Sequence, residues 1–257
     1  MTTRIFAGAM LSLVIALVAR RARSLSTSGA AAAVVIGTLA VAAGWSWGVL
    51  LILYFASSTL LSKIGKAEKE RRTASVVEKG GERDAWQVLA NGVVFAIAAV
   101  GALASPSRLW LALGAGALAA SASDTWATEI GTLYGGTPRS ILTFRPIAPG
   151  TSGGVSIAGI VASVAGAAFV AIIATFGGAA ALPVAIGGIA GSLLDSLVGA
   201  TIQSRRWCDT CRLETERRTH SCGAPTRPLR GATLVDNDVV NFVSALGGGL
   251  LATQLAR

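Results

Sequence analysis

Residues 29–62 have the sequence GAAAAVVIGTLAVAAGWSWGVLLILYFASSTLLS, with no charged side chain in 34 consecutive positions. A helix that crosses a bilayer needs roughly 17 to 25 mostly apolar residues, so this stretch is too long for one crossing. The segment GWSWG, residues 44–48, interrupts it, and paired tryptophans favour the membrane–water interface. We therefore expect two short spanning helices joined by a tight turn at residues 44–48.

The composition of the whole chain agrees with this reading. Of the 257 residues, 53% are hydrophobic and 14% are charged, whereas an ordinary soluble domain carries roughly 25% charged residues. So few charges exclude a soluble globular enzyme, a disordered chain and a secreted disulfide scaffold, and they leave a polytopic membrane protein.

Six further apolar stretches have the length of a spanning helix. The first, residues 5–19, resembles a signal peptide, but basic residues follow it instead of a cleavage site, so we expect a retained helix. The others are 85–104, 109–132, 155–176, 180–202 and 239–256. The sequence thus predicts an all-α transmembrane bundle of about eight spans, with seven as the alternative. Residues 1–257 form one integral membrane domain with no extramembrane domain.

The basic residues predict the orientation of the bundle. With eight spans, the loops 20–28, 63–84, 133–154 and 203–238 share one side and hold 19 of the 22 Lys and Arg residues. Basic loops face the cytoplasm, so we expect a multi-pass protein with these four loops on that side. The net charge of +9 is then explained by basic loops that face anionic lipid headgroups. No nucleic-acid partner is expected.

Three carboxylates occur within or at the ends of apolar spans, where an acid is costly and usually functional. Asp124 lies on one helical face with three hydroxyl residues, and Glu129 lies at the edge of that face. Two carboxylates among hydroxyls suit Mg²⁺, so we assign Asp124 and Glu129 to this metal. Asp195 has a similar setting between Ser192 and Ser196 and is a further catalytic candidate.

Several polar residues near the same side add to this candidate site. Asn91 stacks on Gln87 one helical turn away, either to join helices by hydrogen bonds or to serve catalysis. A glycine-rich turn opens the span that starts at residue 155, and such turns present backbone N–H groups to anions. Its candidate phosphate-binding residues are Gly150, Thr151, Ser152, Gly153 and Gly154, with Lys63, Lys66 and Arg139 as neutralising charges.

Residues 234–241, LVDNDVVN, lead into the last span. Asp236 or Asn237 could cap that helix. Two acids and two amides within six residues exceed the needs of a cap, so Asn237, Asp238 and Asn241 are candidate metal or ribose contacts.

The loop 203–238 contains all three cysteines and the one histidine of the chain. Cys208, Cys211, His220 and Cys222 have the order Cys-x2-Cys-x8-His-x-Cys, which supplies four ligands for a structural Zn²⁺. The alternative is three reduced thiols without a metal.

These motifs together resemble an integral membrane family, long of unknown function, that includes the phytyl-phosphate kinases. The resemblance covers nearly the whole chain. Its motifs here are SST at 57–59 with Lys63 and Lys66, QVLANG at 87–92, ASDTWATEIG at 122–131, PGTSGGVS at 149–156, GSLLDSLVG at 191–199 and NDVVN at 237–241.

The resemblance implies an enzyme, a nucleotide-dependent kinase that phosphorylates an isoprenoid monophosphate to the diphosphate. It implies CTP or another nucleoside triphosphate as donor, Mg²⁺ as cofactor and a lipid bilayer as the setting. Two rivals stay open, namely a lipid cytidylyltransferase and a transporter of a phosphorylated lipid or small anion.

Overall fold

The computed structural model describes residues 1–78 and 81–257. Within these ranges the chain forms nine helices and five short strands. The helices are α1 (Thr2–Arg21), α2 (Thr27–Ala43), α3 (Trp45–Lys63), α4 (Lys66–Thr73), α5 (Ala85–Ala104), α6 (Arg108–Tyr134), α7 (Ile157–Thr175), α8 (Ala181–Thr201) and α9 (Asn237–Leu255). The strands are β1 (Arg139–Ser140), β2 (Gly154–Val155), β3 (Arg205–Cys208), β4 (Leu213–Thr215) and β5 (Arg227–Arg230).

Each of the eight predicted apolar stretches forms a helix, which confirms the all-α bundle. Five described helices, α1, α3, α5, α7 and α8, are long and apolar enough to cross a membrane. Helix α2 is apolar but has 17 residues, and α6 and α9 carry several polar side chains along their length. The count of eight spans therefore stays a prediction.

Local capping explains where the helices begin and end. Helix α5 begins with a capping box, in which Asp84 accepts from the N–H of Gln87 at 2.9 Å and Gln87 accepts from that of Asp84 at 3.1 Å. The turn predicted within residues 29–62 lies at Gly44, between α2 and α3. Trp45 is exposed there, whereas Trp47 turns inward and packs on Phe95, with ring centroids 5.3 Å apart.

The four basic loops meet at one end of the bundle, which we call the loop face. The backbone N–H of Ser26 donates to the carbonyl of Arg83 at 3.0 Å, which joins the first loop to the second. Arg72 donates to the carbonyl of Gly136 at 2.6 Å, and Glu216 N–H to that of Val76 at 2.9 Å. This arrangement is the one that eight crossings require.

Helix α6 lies at the centre, packed against α3, α5, α7, α8 and α9. The sequence predicts that Gly159, Gly166, Gly187, Gly188 and Gly191 allow helices to approach closely, and this is confirmed. A Cβ added at Gly188 would lie 2.7 Å from the Cβ of Ala119 on α6, and one at Gly191 would lie 2.8 Å from the carbonyl of Ser244 on α9. Small residues thus let polar positions on α6, α8 and α9 come together.

The loop 203–238 folds into a small antiparallel sheet in the order β4-β3-β5. We call residues 204–230 the β lobe. The sequence predicts a loop here, and these strands of three or four residues lack the alternating apolar pattern that would have indicated them. The lobe packs on the loop face and carries side chains to the site.

Candidate active site

A cavity of about 1090 Å³ opens between the helices at the loop face. It brings together nearly all of the site residues that the sequence predicts. Those that line it are Lys63, Lys66, Asn91, Asp124, Glu129, Gly150, Thr151, Ser152, Gly153, Gly154, Asp195, Asn237, Asp238 and Asn241. Arg139 does not line the cavity, and its guanidinium donates to the carbonyl of Phe144 at 2.9 Å within the same loop. The predicted phosphate contact of Arg139 is therefore not supported.

Three carboxylates from separate segments converge in this cavity. Asp195 of α8, Asp124 of α6 and Glu216 of the β lobe all line it. The Oδ2 atom of Asp195 is buried and has no hydrogen-bond partner among the described residues. An acidic cluster with a buried unpartnered oxygen has the donor chemistry of a Mg²⁺ site.

A ladder of serine hydroxyls holds the helices that carry these acids. The hydroxyl of Ser123 on α6 lies 2.6 Å from that of Ser163 on α7, which donates to Ser192 on α8 at 3.4 Å. Hydroxyl contacts of this kind join helices where packing alone must hold them. They fix the positions of Asp124 and Asp195, one and three residues along from Ser123 and Ser192.

Glu129 has a different environment from the other acids. Its Oε1 accepts from the hydroxyl of Ser62 at 2.6 Å, and its Oε2 forms an ion pair with Lys69 of α4. The ammonium of Lys69 also donates to the carbonyls of Leu61 and Ser62, at 2.7 and 3.2 Å. Both oxygens of Glu129 are thus used by protein donors, and the geometry favours Asp195 over Glu129 as the partner of Asp124.

The glycine-rich turn has the backbone shape that the sequence predicts. Gly150 and Gly153 have φ values of 84° and 76°, a region that side chains rarely occupy. The hydroxyl of Ser152 donates to the carboxylate of Glu216 at 2.5 Å. Ser152 of the turn thus contacts an acidic side chain of the β lobe, Glu216.

Glu216 and Arg205 link the β lobe to this turn. Arg205, which is 1% exposed, donates to the carbonyl of Ser152 at 2.5 Å. Burial raises the pKa of Glu216, and the Ser152 hydroxyl and the charge of Arg205 oppose that rise. Burial lowers the pKa of Arg205, which Glu216 and Glu214 oppose. Each charge therefore makes burial of the other less costly.

The amides have mixed roles. The side chain of Gln87 completes the capping box of its own helix, α5, and does not join two helices in any hydrogen bond among the described residues. Asn91 donates to the carbonyl of Gln87 at 2.9 Å and faces the cavity. Asp236 caps α9, accepting from two backbone N–H groups at 3.0 and 3.1 Å. Asn237, Asp238 and Asn241 follow this cap along the cavity wall.

The cavity continues from these polar groups into an apolar region. Helices α1, α2 and α3 contribute the apolar lining residues Ile15, Ala16, Ala33, Ile36, Leu51, Ile52 and Phe55. Leu51 lies twelve residues before the end of α3 at Lys63, about 18 Å at a rise of 1.5 Å per residue. The cavity thus joins a charged mouth to an apolar interior.

Four residues of the site were not predicted. Lys69 and Arg83 lie in one basic loop, Arg83 donating to Ser62 at 3.2 Å, and Arg205 and Glu216 lie in another. Each is one charged residue among many in its loop. No local pattern marks them, because their burial depends on which loops dock together.

The predicted zinc ligands lie together but outside the cavity. One ligand atom from each of Cys208, Cys211, His220 and Cys222 can be chosen such that all four lie within 4.8 Å of one another. Cys208 is the last residue of β3, and the other three lie in the turns that follow β3 and β4.

The fold and the cavity define a multi-pass integral membrane protein with a charged site at one end of the bundle. The chain belongs to the family described as integral membrane protein DUF92, whose model matches residues 10–249.

Several relatives match over most of the chain. It is 32% identical to Protein PGR of Arabidopsis thaliana, over 95% of this chain and 93% of the relative. It is 32% identical to an uncharacterized membrane protein of Methanocaldococcus jannaschii, over 79% of this chain and 84% of the relative. It is 29% identical to Protein VTE6, chloroplastic, of Arabidopsis thaliana, over 91% of this chain and 66% of the relative. No solved structure matches the chain.

Proposed function

We propose that this protein is a membrane-embedded kinase that transfers a phosphoryl group from a nucleoside triphosphate to an isoprenoid monophosphate. The observation that carries the proposal is the composition of the cavity, in which carboxylates, lysines and a glycine-rich turn at the mouth adjoin an apolar interior. A ligand with a phosphate head and a hydrocarbon tail matches both parts. The resemblance to the phytyl-phosphate kinase family favours an isoprenoid tail and CTP as the donor.

The acids at the mouth fit a magnesium ion. Asp124 and Asp195 would hold it, with Glu216 as a third oxygen donor, since these carboxylates converge and Oδ2 of Asp195 has no partner among the described residues. When bound, Mg²⁺ neutralises charge on the transferring phosphate groups. In this proposal Glu129 holds Lys69 in place instead of binding the metal.

The remaining groups bind and orient the two phosphate-containing substrates. The turn at Thr151, Gly153 and Gly154 would hold the donor phosphates, and Lys63 and Lys66 would neutralise them. Asn91 and Asn241 would orient the acceptor. An oxygen of the acceptor phosphate attacks the terminal phosphorus and the nucleoside diphosphate leaves. Because the acceptor is already ionised, this reaction needs charge neutralisation more than a general base.

The distribution of charge supports a cytoplasmic active site. In the sequence, the four loops 20–28, 63–84, 133–154 and 203–238 contain 19 of the 22 basic residues, and basic loops favour the cytoplasmic side. A nucleoside triphosphate from the cytoplasm would reach the mouth of the cavity, while the isoprenoid tail would enter from the bilayer.

Product analysis of the purified protein tests this function. With Mg²⁺, phytyl monophosphate and a nucleoside triphosphate labelled at its terminal phosphorus, we expect labelled phytyl diphosphate, with CTP and ATP compared in parallel. Phytol in place of its monophosphate serves as the control, and we expect no labelled product from it. Release of pyrophosphate with a cytidylylated lipid would identify a cytidylyltransferase instead. No nucleotide turnover with any prenyl monophosphate would contradict the proposal.

A further inference from the structure

The four Cys and His residues of the β lobe come from two turns that the sheet brings together. Cys208 is the last residue of β3, and Cys211 lies in the turn between β3 and β4. His220 and Cys222 lie in the segment between β4 and β5. The sulfur atoms of Cys208 and Cys222 are 3.7 Å apart, and Nδ1 of His220 lies 3.2 Å from the sulfur of Cys222.

These distances match a tetrahedral metal site better than a disulfide. A disulfide places its sulfur atoms about 2.05 Å apart, and all three cysteines are free. Four tetrahedral ligands at zinc–sulfur and zinc–nitrogen distances of about 2.3 and 2.0 Å lie about 3.5 to 3.8 Å from one another when one of them is nitrogen. Three thiolates with one imidazole select zinc over Mg²⁺ or Ca²⁺, which prefer oxygen ligands.

The β lobe also lacks the apolar core that would hold it together by itself. Among residues 204–230, all of which are described, the buried side chains are Arg205, Cys208, Thr215, His220 and Thr226. Cys208 is the one apolar residue in that group. Small units without a hydrophobic core depend on disulfides or metals for stability.

We propose that Cys208, Cys211, His220 and Cys222 bind one structural Zn²⁺ that keeps the β lobe folded on the loop face. Arg217 donates to the carbonyls of Ala74 and Val77 at 3.2 and 3.1 Å, and Arg205 and Glu216 contact Ser152. The ion therefore stabilises the lobe side of the glycine-rich turn. The zinc site itself does not depend on the proposed kinase function. Only the role of the stabilised turn in binding phosphate rests on that function.

Metal analysis of the full chain in detergent tests the site without an activity assay. We expect about one zinc ion per chain after purification, or after adding Zn²⁺ to metal-free protein and removing the excess. Co²⁺ in place of Zn²⁺ should give the intense absorption of a tetrahedral thiolate complex. Cys208→Ser and Cys222→Ser should each weaken zinc binding by at least about 100-fold. Ser221→Ala, an exposed position between two ligands, is the matched control and should bind zinc like the wild type.

Limited digestion with trypsin reports on the lobe itself. In the metal-free protein we expect cleavage after Arg217 and Arg218 to be at least about tenfold faster than with zinc, because the lobe opens without its ion. Less than about 0.1 zinc or cobalt ion per reconstituted chain would overturn the zinc site. Equal cleavage rates with and without zinc would overturn its role in holding the lobe.

Discussion

Replacing Asp124 with asparagine is expected to lower the rate of phosphoryl transfer by roughly a thousand-fold and to raise the melting temperature of the metal-free protein. Loss of a metal ligand removes several kcal/mol of transition-state stabilisation, and each 1.36 kcal/mol is about tenfold in rate. The melting temperature should rise because Asp124 and Asp195 line the same cavity, and two carboxylates in one cavity disfavour each other when no cation lies between them. Initial rates, together with melting curves in EDTA and in Mg²⁺, measure both effects.

The matched control is Glu68→Gln, which makes the same change from carboxylate to amide on the surface. Glu68 pairs with Arg71 at 2.8 Å within α4 and does not line the cavity. Its activity and its melting temperature should equal those of the wild type. Mg²⁺ should stabilise the wild type and Glu68→Gln but not Asp124→Asn. Asp124 is not a metal ligand if Asp124→Asn keeps full activity, or if Mg²⁺ raises its melting temperature as much as that of the wild type.

Replacing Lys69 with methionine is expected to lower the free energy of unfolding by about 3 kcal/mol, the cost of leaving one member of a buried ion pair alone. The side chains of Lys69 and Glu129 are 9% and 20% exposed. Without Lys69, Glu129 keeps only the hydroxyl of Ser62 among the donors described here. Glu129→Gln should also destabilise, since it leaves the ammonium with two carbonyls. The double variant should cost less than the two single variants together. Denaturant titration in micelles measures these differences.

Lys66→Met serves as the stability control for this pair. Lys66 is 3.6 Å from Glu70 in an ion pair whose side chains are 51% and 58% exposed, and such surface pairs contribute at most about 1 kcal/mol. If Glu129→Gln leaves stability unchanged and abolishes the Mg²⁺ shift, then Glu129 is a metal ligand, as the sequence predicts. If Glu129→Gln destabilises the protein and Mg²⁺ still raises its melting temperature, the pair of Glu129 with Lys69 is structural.

The helical part of the fold could be predicted closely because apolar runs and capping residues are local signals. Helix α5 begins and ends at the residues predicted from its apolar stretch, and the capping box of Asp84 and Gln87 lies at its start. The turn at Gly44 follows from the length of the uncharged stretch. The β lobe could not be predicted in the same way, because its strands are short and are held by contacts with other loops.

The residues of the candidate site also differ in whether local sequence could predict them. Asp124 and Asp195 could be found because acids within apolar spans are rare and costly. Glu216 and Lys69 could not, since each becomes buried only when its loop docks on the bundle. Arg139 is near the glycine-rich turn in the sequence, yet it contacts its own loop and does not line the cavity, so its role stays a prediction.

The most direct measurement is photo-crosslinking with a prenyl monophosphate that carries a diazirine at the far end of its tail. If the phosphate lies at Asp124 and Asp195, the tail should label cavity residues of α1 to α3, such as Ile15 and Leu51. Excess phytyl monophosphate should suppress this labelling, and inorganic phosphate should not. Labelling confined to lipid-facing positions of α1 such as Val14 and Val18, 56% and 61% exposed, without competition, would contradict the account.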